Sequence, residues 1–381
     1  MENFFTCPIC GNNSKRYIGY KNGVPYCRRC ITFKGESAKN YISKPSKAKI
    51  YLPYDLSIEQ QKISNSLIAN YKQGKNSFIN AVCGSGKTEI VLGVISYAMQ
   101  CGEKVAFAVP RRDVAIELFD RLVPIFKDNR VILVYGGHHD LLSGDLVCLT
   151  SHQLFRYEKY FDLIIMDEVD AFPYKGDFVL QKHFKRALKG NYILMSATVS
   201  PEMKREYIKD GCSTFELFTR FHRHPLPIPE IQAGNGLILY YNLIKNLKRF
   251  LKENKKVFVF CPTISICEKV FKFVNIFVKN GTYIHSKIEN RYNIIKSFKN
   301  DDYKFLITTA ILERGITVKD LQVIVFLADH RIYDSYSLIQ IAGRVGRKKE
   351  SPEGRVIFLA RNKNNKIQAC ISEIIRANKS L

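Results

Sequence analysis

The stretch SFINAVCGSGKTEIVLGVISYAMQ, residues 77–100, decides the fold class of this chain. Its short apolar start, SFIN, is typical of a buried strand, and TEIVLGVISYAMQ has the spacing of a helix. Apolar runs of the same kind alternate with helical stretches along the chain: KVAFAV, RVILVY, DLVCLT, DLIIM, NYILMS, KKVFVF, GTYIH, YKFLIT, LQVIVFL and GRVIFLA. Strands that are buried on both faces and separated by helices predict an α/β fold with parallel, doubly wound sheets.

Two segments interrupt this alternation and divide the chain. Residues 34–50 are polar and basic and lack a sustained apolar period, and residues 221–236, FHRHPLPIPEIQAGNG, are rich in proline and glycine. We interpret both segments as linkers without regular structure. The predicted parts are a cysteine-containing module over 1–33, a basic linker over 34–50, an α/β domain over 51–220, an interdomain linker over 221–236 and a second α/β domain over 237–381.

The turn AVCGSGKTEI, residues 81–90, has the composition of a phosphate-binding loop. Gly84 and Gly86 let the backbone wrap around an anion. Lys87 can reach the β and γ phosphates, and Thr88 can ligate Mg²⁺. The strict pattern has glycine in place of Ala81, but the strand before the loop and the helix after it support the interpretation. The predicted nucleotide-binding residues of the loop are Gly84, Ser85, Gly86, Lys87 and Thr88.

Three carboxylates stand close together in DEVDAFPY, residues 167–174, directly after the apolar run LIIM. Close carboxylates repel one another unless a cation or a shared proton relieves them, so the cluster is a candidate site. A strand end that carries surface acids is the alternative. In a phosphate-loop fold this strand ends near the loop, so Asp167 can hold Mg²⁺ through water, and Glu168 can orient and deprotonate the attacking water.

The third acid, Asp170, is better placed for coupling than for contact with phosphate. Its predicted partner is the segment Ser196-Ala197-Thr198 at the end of the strand NYILM, whose hydroxyls can hydrogen-bond a carboxylate. Asp170, Ser196 and Thr198 are therefore predicted to link the nucleotide site to the next element. We expect the aromatic residues Phe172 and Tyr174 to pack in buried positions, and stacking on bases is the alternative.

The segment QIAGRVGR, residues 340–347, contributes two arginines at a spacing of three residues. We expect Arg344 and Arg347 to lie on one helical face, where their guanidinium groups can stabilise the charge that develops in phosphoryl transfer. A clamp on a DNA backbone is the alternative. The predicted catalytic set is Lys87, Asp167, Glu168, Gln340, Arg344 and Arg347. If the arginines and the loop come from different domains, hydrolysis requires the domains to close, and closure becomes a motor stroke.

Four of the eleven cysteines form two CxxC pairs separated by sixteen residues: Cys7, Cys10, Cys27 and Cys30. Each pair can direct two sulfurs at one tetrahedral ion, so the spacing predicts a structural Zn²⁺ site rather than disulfides. Basic residues surround the four cysteines, which favours a module that faces nucleic acid; docking of a partner protein is the alternative use. The scattered cysteines, Cys83 among them, are interpreted as small buried hydrophobes.

The positive charge is concentrated at the two ends of the chain. The formal net charge is +24; residues 1–50 carry ten basic against two acidic residues, and residues 236–381 carry 27 against twelve. Such a surface predicts a polyanionic partner, because displaced counterions drive association with phosphates. We expect most of the electrostatic attraction to come from these ends. No apolar run is long enough to span a membrane and no secretion signal is evident, so a cytoplasmic location is expected.

The ordered motifs resemble those of a superfamily 2 helicase with two RecA-like domains. LSIEQQ is similar to the glutamine motif that reads adenine, with Gln60 the better match and Gln61 the alternative. VPRR and TSHQ resemble motifs Ia and Ib, and FCPT and TTAILERGIT resemble motifs IV and V. The resemblance implies nucleic-acid contacts at Pro110, Arg111, Arg112, Thr150, Ser151, His152, Gln153, Pro262, Thr263, Thr308 and Thr309.

The four-cysteine element, together with DEVDAFP, TSHQLFR and ILERGIT, resembles the late competence ATPase family ComFA. The resemblance implies an ATP-driven motor on single-stranded DNA that uses ATP, Mg²⁺ and Zn²⁺ and serves the uptake of transforming DNA. It also implies competence proteins and an inner-membrane channel as partners, and a peripheral position at the inner face of the membrane. Thr317 stands where DEAD-box RNA helicases usually have aspartate, which argues against that branch. A replication-restart helicase and an ATP-controlled DNA clamp or adaptor with little turnover are the alternatives.

Overall fold

The computed structural model describes residues 5–31, 33, 35–82, 84–170, 176–197, 201–217, 220, 224–312, 318–348 and 350–379. Two compact units divide the chain: one comprises residues 1–81 and 86–217, and the other comprises residues 82–85 and 218–381. Each unit has its own parallel sheet. Among the described residues, no helix is both long enough and apolar enough to cross a membrane.

A small antiparallel hairpin opens the first unit. It consists of β1 (Ile18–Lys21) and β2 (Val24–Cys27), and a short 3-10 helix, Lys15–Tyr17, precedes it. Asn22 and Gly23 form the turn with left-handed φ angles of +50° and +77°. These angles suit the right-handed twist of a two-residue hairpin. The hairpin therefore brings Cys27 and Cys30 back toward the N-terminal pair of cysteines.

The main sheet of the first unit has seven strands, all parallel, in the order β5-β6-β4-β7-β8-β3-β9. Helices pack on both faces, and apolar residues of the strands alternate between two buried clusters. The elements are α1 (Ile58–Lys72), β3 (Ser77–Ala81), α2 (Lys87–Gln100), β4 (Val105–Val109), α3 (Arg112–Ile125), β5 (Val131–Val134), β6 (Leu146–Thr150), β7 (Phe161–Met166), α4 (Phe178–Ala187), β8 (Leu188–Ser196), α5 (Pro201–Lys209) and β9 (Ser213–Leu217).

The second unit has a six-stranded parallel sheet in the order β10-β15-β14-β11-β13-β12. It also buries apolar clusters on both faces. The elements are β10 (Glu230–Ala233), α6 (Gly236–Lys252), β11 (Lys256–Phe260), α7 (Ile264–Phe277), β12 (Gly281–Ile284), α8 (Arg291–Lys299), β13 (Phe305–Thr308), β14 (Leu321–Phe326), α9 (Ser335–Ala342), β15 (Val356–Ala360) and α10 (Asn365–Asn378). The predicted fold class, two RecA-like parallel-sheet domains in tandem preceded by a small four-cysteine module, is confirmed.

The segment 221–236 is not wholly irregular, contrary to the prediction. Its last part contains β10, Glu230–Ala233, which pairs with β15 at the edge of the second sheet. The prolines of the segment end at Pro229, so the N–H groups of β10 remain available for the sheet. An edge strand needs only one partner strand, and a polar four-residue strand of this kind has little apolar periodicity by which to recognise it.

The predicted linker 34–50 has no regular element over its described residues, but it is fastened to the first unit. The hydroxyls of Tyr41 and Ser43 donate to one carboxylate oxygen of Asp145, at 3.2 and 3.0 Å. Ser96 Oγ donates to the carbonyl of Ala48, which is fully buried, at 2.6 Å. The segment is therefore part of the folded surface of this unit and not a free connection.

Candidate nucleotide and nucleic-acid site

The phosphate loop follows β3 and leads into α2. Gly84 and Gly86 have left-handed φ angles of +83° and +80°, a region that favours glycine. Gly86 is the N-cap of α2, so the free N–H groups of the first helical turn are available to an anion. The ammonium of Lys87 is folded back over the loop and donates to the carbonyl of Ala81 at 3.2 Å. The predicted loop therefore has a backbone that fits a phosphate group.

Gln60 lies beside this loop because a capping box holds its side chain. Its N–H donates to Ser57 Oγ at 3.2 Å, and Ser57 N–H donates to Gln60 Oε1 at 2.9 Å. Its side chain is so close to Gly86 that a Cβ there would clash with Gln60 Nε2. Gln61 instead bonds Asn65 on the exposed side of α1, at 2.8 Å. The structure therefore places Gln60, not Gln61, against the loop.

Sequence reasoning missed a buried carboxylate in the first turn of α2. Glu89 accepts hydrogen bonds at Oε1 from Arg121, at 2.6 Å, and from the hydroxyl of Tyr54, at 3.1 Å. Burial and this neighbouring carboxylate raise the pKa of Tyr54 to about 12. These bonds fix the start of α2, which carries the loop. The only signal in the sequence was the position of Glu89 directly after Lys87-Thr88.

The order of the strands places the acidic cluster at the same edge of the sheet as the phosphate loop. β8 lies between β7 and β3, so the carboxyl ends of these three parallel strands are neighbours. Asp167 and Glu168 follow β7, and Glu168 N–H donates to Asp167 Oδ1 at 2.8 Å. Glu168 has a left-handed φ of +58°, which is uncommon for a residue with a side chain. Asp167 and Thr88 offer the oxygen donors that Mg²⁺ prefers.

The predicted bond between Asp170 and the end of β8 is present. Ser196 is buried, and its hydroxyl donates to Asp170 Oδ1 at 2.6 Å. This short bond ties the turn after β7 to the neighbouring strand. The coupling role of both residues stays a prediction. Thr198, Phe172, Tyr174, Thr317 and Cys83 lie outside the described residues.

The arginines Arg344 and Arg347 are not on a helical face, contrary to the prediction. Helix α9 ends at Ala342, and both arginines lie on the turns that follow. Gly346 has a left-handed φ of +68°, so the chain departs from helical geometry there. Arg344 is buried, whereas Arg347 is half-buried and donates from Nε to the carbonyl of Gly343 at 2.9 Å. The spacing of three residues therefore does not place the two arginines on one helical face.

A buried arginine that sequence reasoning missed holds the same turn. Arg220 is 2% exposed and donates from Nη1 to the carbonyl of Gly346 at 2.9 Å. Its Nη2 donates to the carbonyl of Gly343 at 3.3 Å. Gln340, on the last turn of α9, is also buried. No local pattern around Arg220 indicated this contact, because its partners are more than 120 residues away in the chain.

The first unit gathers five of the predicted nucleic-acid residues around one groove with a volume of about 980 Å³: Pro110, Arg112, Thr150, His152 and Gln153. Arg111 is the N-cap of α3, beside them. Ser151 is buried, and its hydroxyl has no hydrogen-bond partner among the described residues. Burial lowers the pKa of His152, so its imidazole stays neutral at neutral pH. The predicted residues that line the groove thus combine one cation, Arg112, with neutral groups.

The predicted nucleic-acid residues of the second unit are less accessible. Pro262 and Thr308 are buried, and the Thr308 hydroxyl donates to the carbonyl of Thr309 at 3.2 Å. Thr263 is half-buried, and its hydroxyl accepts from Ile266 N–H at 3.2 Å as the N-cap of α7. Of this set, only Thr263 and Thr309 keep part of their surface exposed, because Thr308 is the last residue of β13 and Pro262 lies in the buried bend after β11.

The four predicted metal ligands, Cys7, Cys10, Cys27 and Cys30, converge. All four sulfur atoms lie within 4.8 Å of one another. The sulfurs of Cys7 and Cys30 are 3.8 Å apart, and those of Cys10 and Cys27 are 3.7 Å apart. A tetrahedral ion with Zn–S bonds of about 2.3 Å separates its ligand sulfurs by about 3.8 Å. The residues therefore fit Zn²⁺. Burial raises the pKa of Cys10 and Cys30, so a bound cation is what would favour their thiolates.

Two helicase families match the two units. The DEAD/DEAH box helicase family matches residues 59–205, and the helicase conserved C-terminal domain matches residues 242–349. These matches support a superfamily 2 ATPase and imply ATP and Mg²⁺. In fold, the chain resembles Mss116p bound to ssRNA and AMP-PNP, with a TM-score of 0.66 and 17% identity over 84% of this chain and 77% of that chain.

Curated relatives cover nearly the whole chain. It is 36% identical to competence protein ComFA of Bacillus subtilis, over 93% of this chain and 81% of the relative. It is 31% identical to competence protein ComFA of Streptococcus pneumoniae, over 94% of this chain and 86% of the relative. The names of these relatives and the helicase families together support an ATP-dependent, helicase-like competence protein. At this identity and coverage, the chain belongs to the ComFA family of superfamily 2 helicases.

Proposed function

We propose that the protein is an ATP-driven translocase on single-stranded DNA that helps to draw transforming DNA into the cell. The observation that carries this proposal is the shared edge of the first sheet, where β3, β8 and β7 end beside one another. The phosphate loop, the Ser196–Asp170 bond and the acidic pair all lie at this edge. A groove with predicted nucleic-acid residues belongs to the same unit, so nucleotide state and strand binding share one scaffold.

In this proposal the loop between β3 and α2 and the ends of the neighbouring strands supply the groups that bind and hydrolyse ATP. The loop and Lys87 bind the phosphates, and Thr88 and Asp167 hold Mg²⁺. Bound Mg²⁺ would neutralise phosphate charge. Glu168 orients the attacking water and accepts its proton. Gln60 contacts the adenine or the loop that holds it.

The second unit supplies cationic groups in the same proposal. Arg344 and Arg347 stabilise the charge that develops on the transferred phosphate, and Gln340 provides a polar contact near them. A change in the bound nucleotide is transmitted to the nucleic-acid strand through Asp170, Ser196 and Thr198. The bonds of Arg220 to the turn of Gly343 and Gly346 support a fixed position for these arginines.

The nucleic-acid strand is proposed to cross both units along the residues named for motifs Ia, Ib, IV and V. Zn²⁺ is held by the four cysteines of the hairpin module. The boundary between the two domains is proposed to lie between residues 217 and 218, because Arg220 bonds the turn of Gly343 and Gly346 and β10 pairs with β15. The cellular partners are single-stranded DNA, an inner-membrane competence channel and other competence proteins. The expected location is the cytoplasm, at the inner face of the membrane.

ATP hydrolysis measured with single-stranded DNA, duplex DNA and RNA tests the proposal. We expect single-stranded DNA to stimulate turnover most strongly, and we expect Glu168→Gln to abolish that turnover. Absence of multiple turnover with every nucleic acid would favour a nucleotide-controlled clamp instead. A forked duplex is the matched control: strand separation would favour a restart helicase, whereas a translocase hydrolyses ATP without unwinding it.

A further inference from the structure

The groove that holds motifs Ia and Ib has a second wall that neither motif supplies. Arg29 and Phe33, from the cysteine module, line the groove together with residues 176–179 at the start of α4. They face a groove that also contains Arg112 and His152. Its volume of about 980 Å³ lies at the upper end of the range for ligand sites, about 300–1,000 Å³.

The cysteine module is packed firmly on this wall. Phe33 is in ring contact with His183 of α4 at 4.6 Å, with Phe155 at 5.8 Å and with His152 at 6.2 Å. Its N–H donates to the carbonyl of Cys30 at 3.0 Å. The four cysteines themselves form one buried cluster with Val179. The metal site, α4 and the motif Ib segment are therefore neighbours in one packed structure.

The charges on the groove favour an anionic ligand. The guanidinium of Arg29 is exposed and lies 3.9 Å from the ring centre of Tyr17, which orients it. The guanidinium of Arg112, the first residue of α3, lies 4.5 Å from the ring centre of Tyr135. Among the described residues that line the groove, Asp177 is the one acid. Its carboxylate caps the N-terminus of α4 and accepts hydrogen bonds from Val179 N–H and Leu180 N–H.

An exposed aromatic ring completes the wall. Phe178 is 45% exposed although it is a large apolar side chain, and it lines the groove. The ammonium of Lys182 lies 5.1 Å from the centre of its ring. Aromatic platforms beside cationic side chains are the usual means of binding single strands without sequence preference.

We propose that the cysteine module and the start of α4 form the second wall of a single-strand binding groove, in which Arg29 contacts a phosphate and Phe178 stacks on a base. This inference rests on the proposed function and deepens it, because it assigns the module to the nucleic-acid track rather than to a partner protein. The ligand is a single-stranded polynucleotide, and DNA and RNA strands share the chemistry that these residues recognise.

Binding of fluorescently labelled oligo-dT to the full-length protein, followed by anisotropy at several salt concentrations, tests the inference. We expect Arg29→Ala to weaken binding and to lower the slope of log affinity against log salt by about 0.7, the contribution of one single-strand phosphate contact. Phe178→Ala should weaken dT binding about tenfold and remove the preference for dT over an abasic strand of equal length. Oligo-rU in a parallel series distinguishes RNA from DNA.

Two matched variants test whether weaker binding is specific to the groove or follows from any loss of charge or aromatic surface. Arg28→Ala removes the adjacent exposed arginine, and Tyr20→Ala removes an exposed ring of the same module; neither residue lines the groove. If Arg29→Ala and Phe178→Ala bind as these controls do while Arg112→Ala is weakened, the module is not part of the track. If the wild type binds dT through Arg29 and Phe178 without stimulated ATP hydrolysis, the groove stands and the translocase proposal fails.

Discussion

Glu168 combines a strained backbone with a position at the nucleotide edge of the sheet. Its φ of +58° lies in the left-handed region, which is unfavourable by roughly 1–2 kcal/mol for a residue with a Cβ. Two bonds hold the strand end in this geometry: Glu168 N–H to Asp167 Oδ1 at 2.8 Å, and Val169 N–H to the carbonyl of Met195 at 3.2 Å. Backbone strain that neighbouring contacts maintain is common at functional residues. We infer that the strained backbone sets the direction in which the Glu168 carboxylate points.

Exchange of Glu168 should separate activity from stability. We expect Glu168→Gln to lower ATP turnover by about 10²-fold or more, the usual contribution of a general base, while nucleotide binding persists. Glu168→Gly should also lose turnover, but it should gain about 1 kcal/mol in unfolding free energy, because glycine relieves the left-handed strain. Urea denaturation and a fluorescent nucleotide titration measure both effects. A loss of stability in Glu168→Gly would contradict the inference.

His183 should make the stability of the protein sensitive to mild acid. It is fully buried in α4, and neither ring nitrogen has a hydrogen-bond partner among the described residues. Burial lowers its pKa to about 4; Arg186 and His152 act in the same direction and Asp177 acts against it. Between about pH 6.5 and pH 4 the unfolded chain therefore binds a proton that the folded chain does not bind, so stability falls as the pH falls.

The expected loss from His183 alone is about 2 kcal/mol between pH 7.5 and pH 5. Urea denaturation at both pH values measures it, with His183→Leu as the variant that cannot titrate. Acid release of zinc would affect wild type and variant alike, so their difference isolates the histidine. Equal losses in both proteins would show that His183 does not contribute.

At the scale of single elements, the turn after α9 is set by glycine and by a distant arginine. A Cβ on Gly346 would clash with the carbonyl of Pro352, and its φ is left-handed. The carbonyls of Gly343 and Gly346 both accept from the guanidinium of Arg220. Arg344 and Arg347 therefore depend for their positions on a planar group that reaches two carbonyls at once.

Arg220→Lys should impair turnover more than ATP binding. A lysine keeps the charge but cannot donate to both carbonyls in the same geometry, so the turn should lose its fixed position. We expect kcat for ATP to fall about tenfold, equivalent to about 1.4 kcal/mol, with KM nearly unchanged. Steady-state kinetics at saturating single-stranded DNA measures both parameters.

Arg249→Lys is the matched control, because Arg249 is half-exposed and pairs with Glu253, the residue that follows α6. It should behave as the wild type. A KM effect of Arg220→Lys equal to its kcat effect would indicate general damage to the fold rather than a positioning role for Arg220.

At the scale of the whole molecule, the basic N-terminal end of the chain is divided between two parts of the first unit. The N-terminal basic residues lie partly in the cysteine module and partly in the segment 34–50, which is fastened to the first unit through the buried Ala48. Deletion of residues 1–50 would therefore remove core contacts as well as charge. Removal of the proposed Zn²⁺ alone would be the cleaner perturbation of the module.

A zinc-selective chelator should weaken binding of single-stranded DNA and leave strand-independent ATP hydrolysis unchanged. The reason is that Phe33 follows Cys30 and packs on His183, so loss of the metal should displace the groove wall but not the phosphate loop. Anisotropy with oligo-dT at constant Mg²⁺ measures the effect, and re-addition of Zn²⁺ should restore binding. Unchanged affinity after metal release, confirmed by metal analysis, would exclude a role for the module in strand binding.

The sequence by itself determined the α/β class, the phosphate loop, the acidic pair and the convergence of four cysteines. Each of these depends on short-range patterns: apolar periodicity, glycines before a helix, and two tight CxxC turns. Only the tertiary structure decided that β10 belongs to a sheet, that Arg344 and Arg347 leave the helix, and that Arg220 holds their turn. It also placed Arg29 and Arg112 on one groove. These features depend on pairing between distant segments, and local propensity carries no information about such partners.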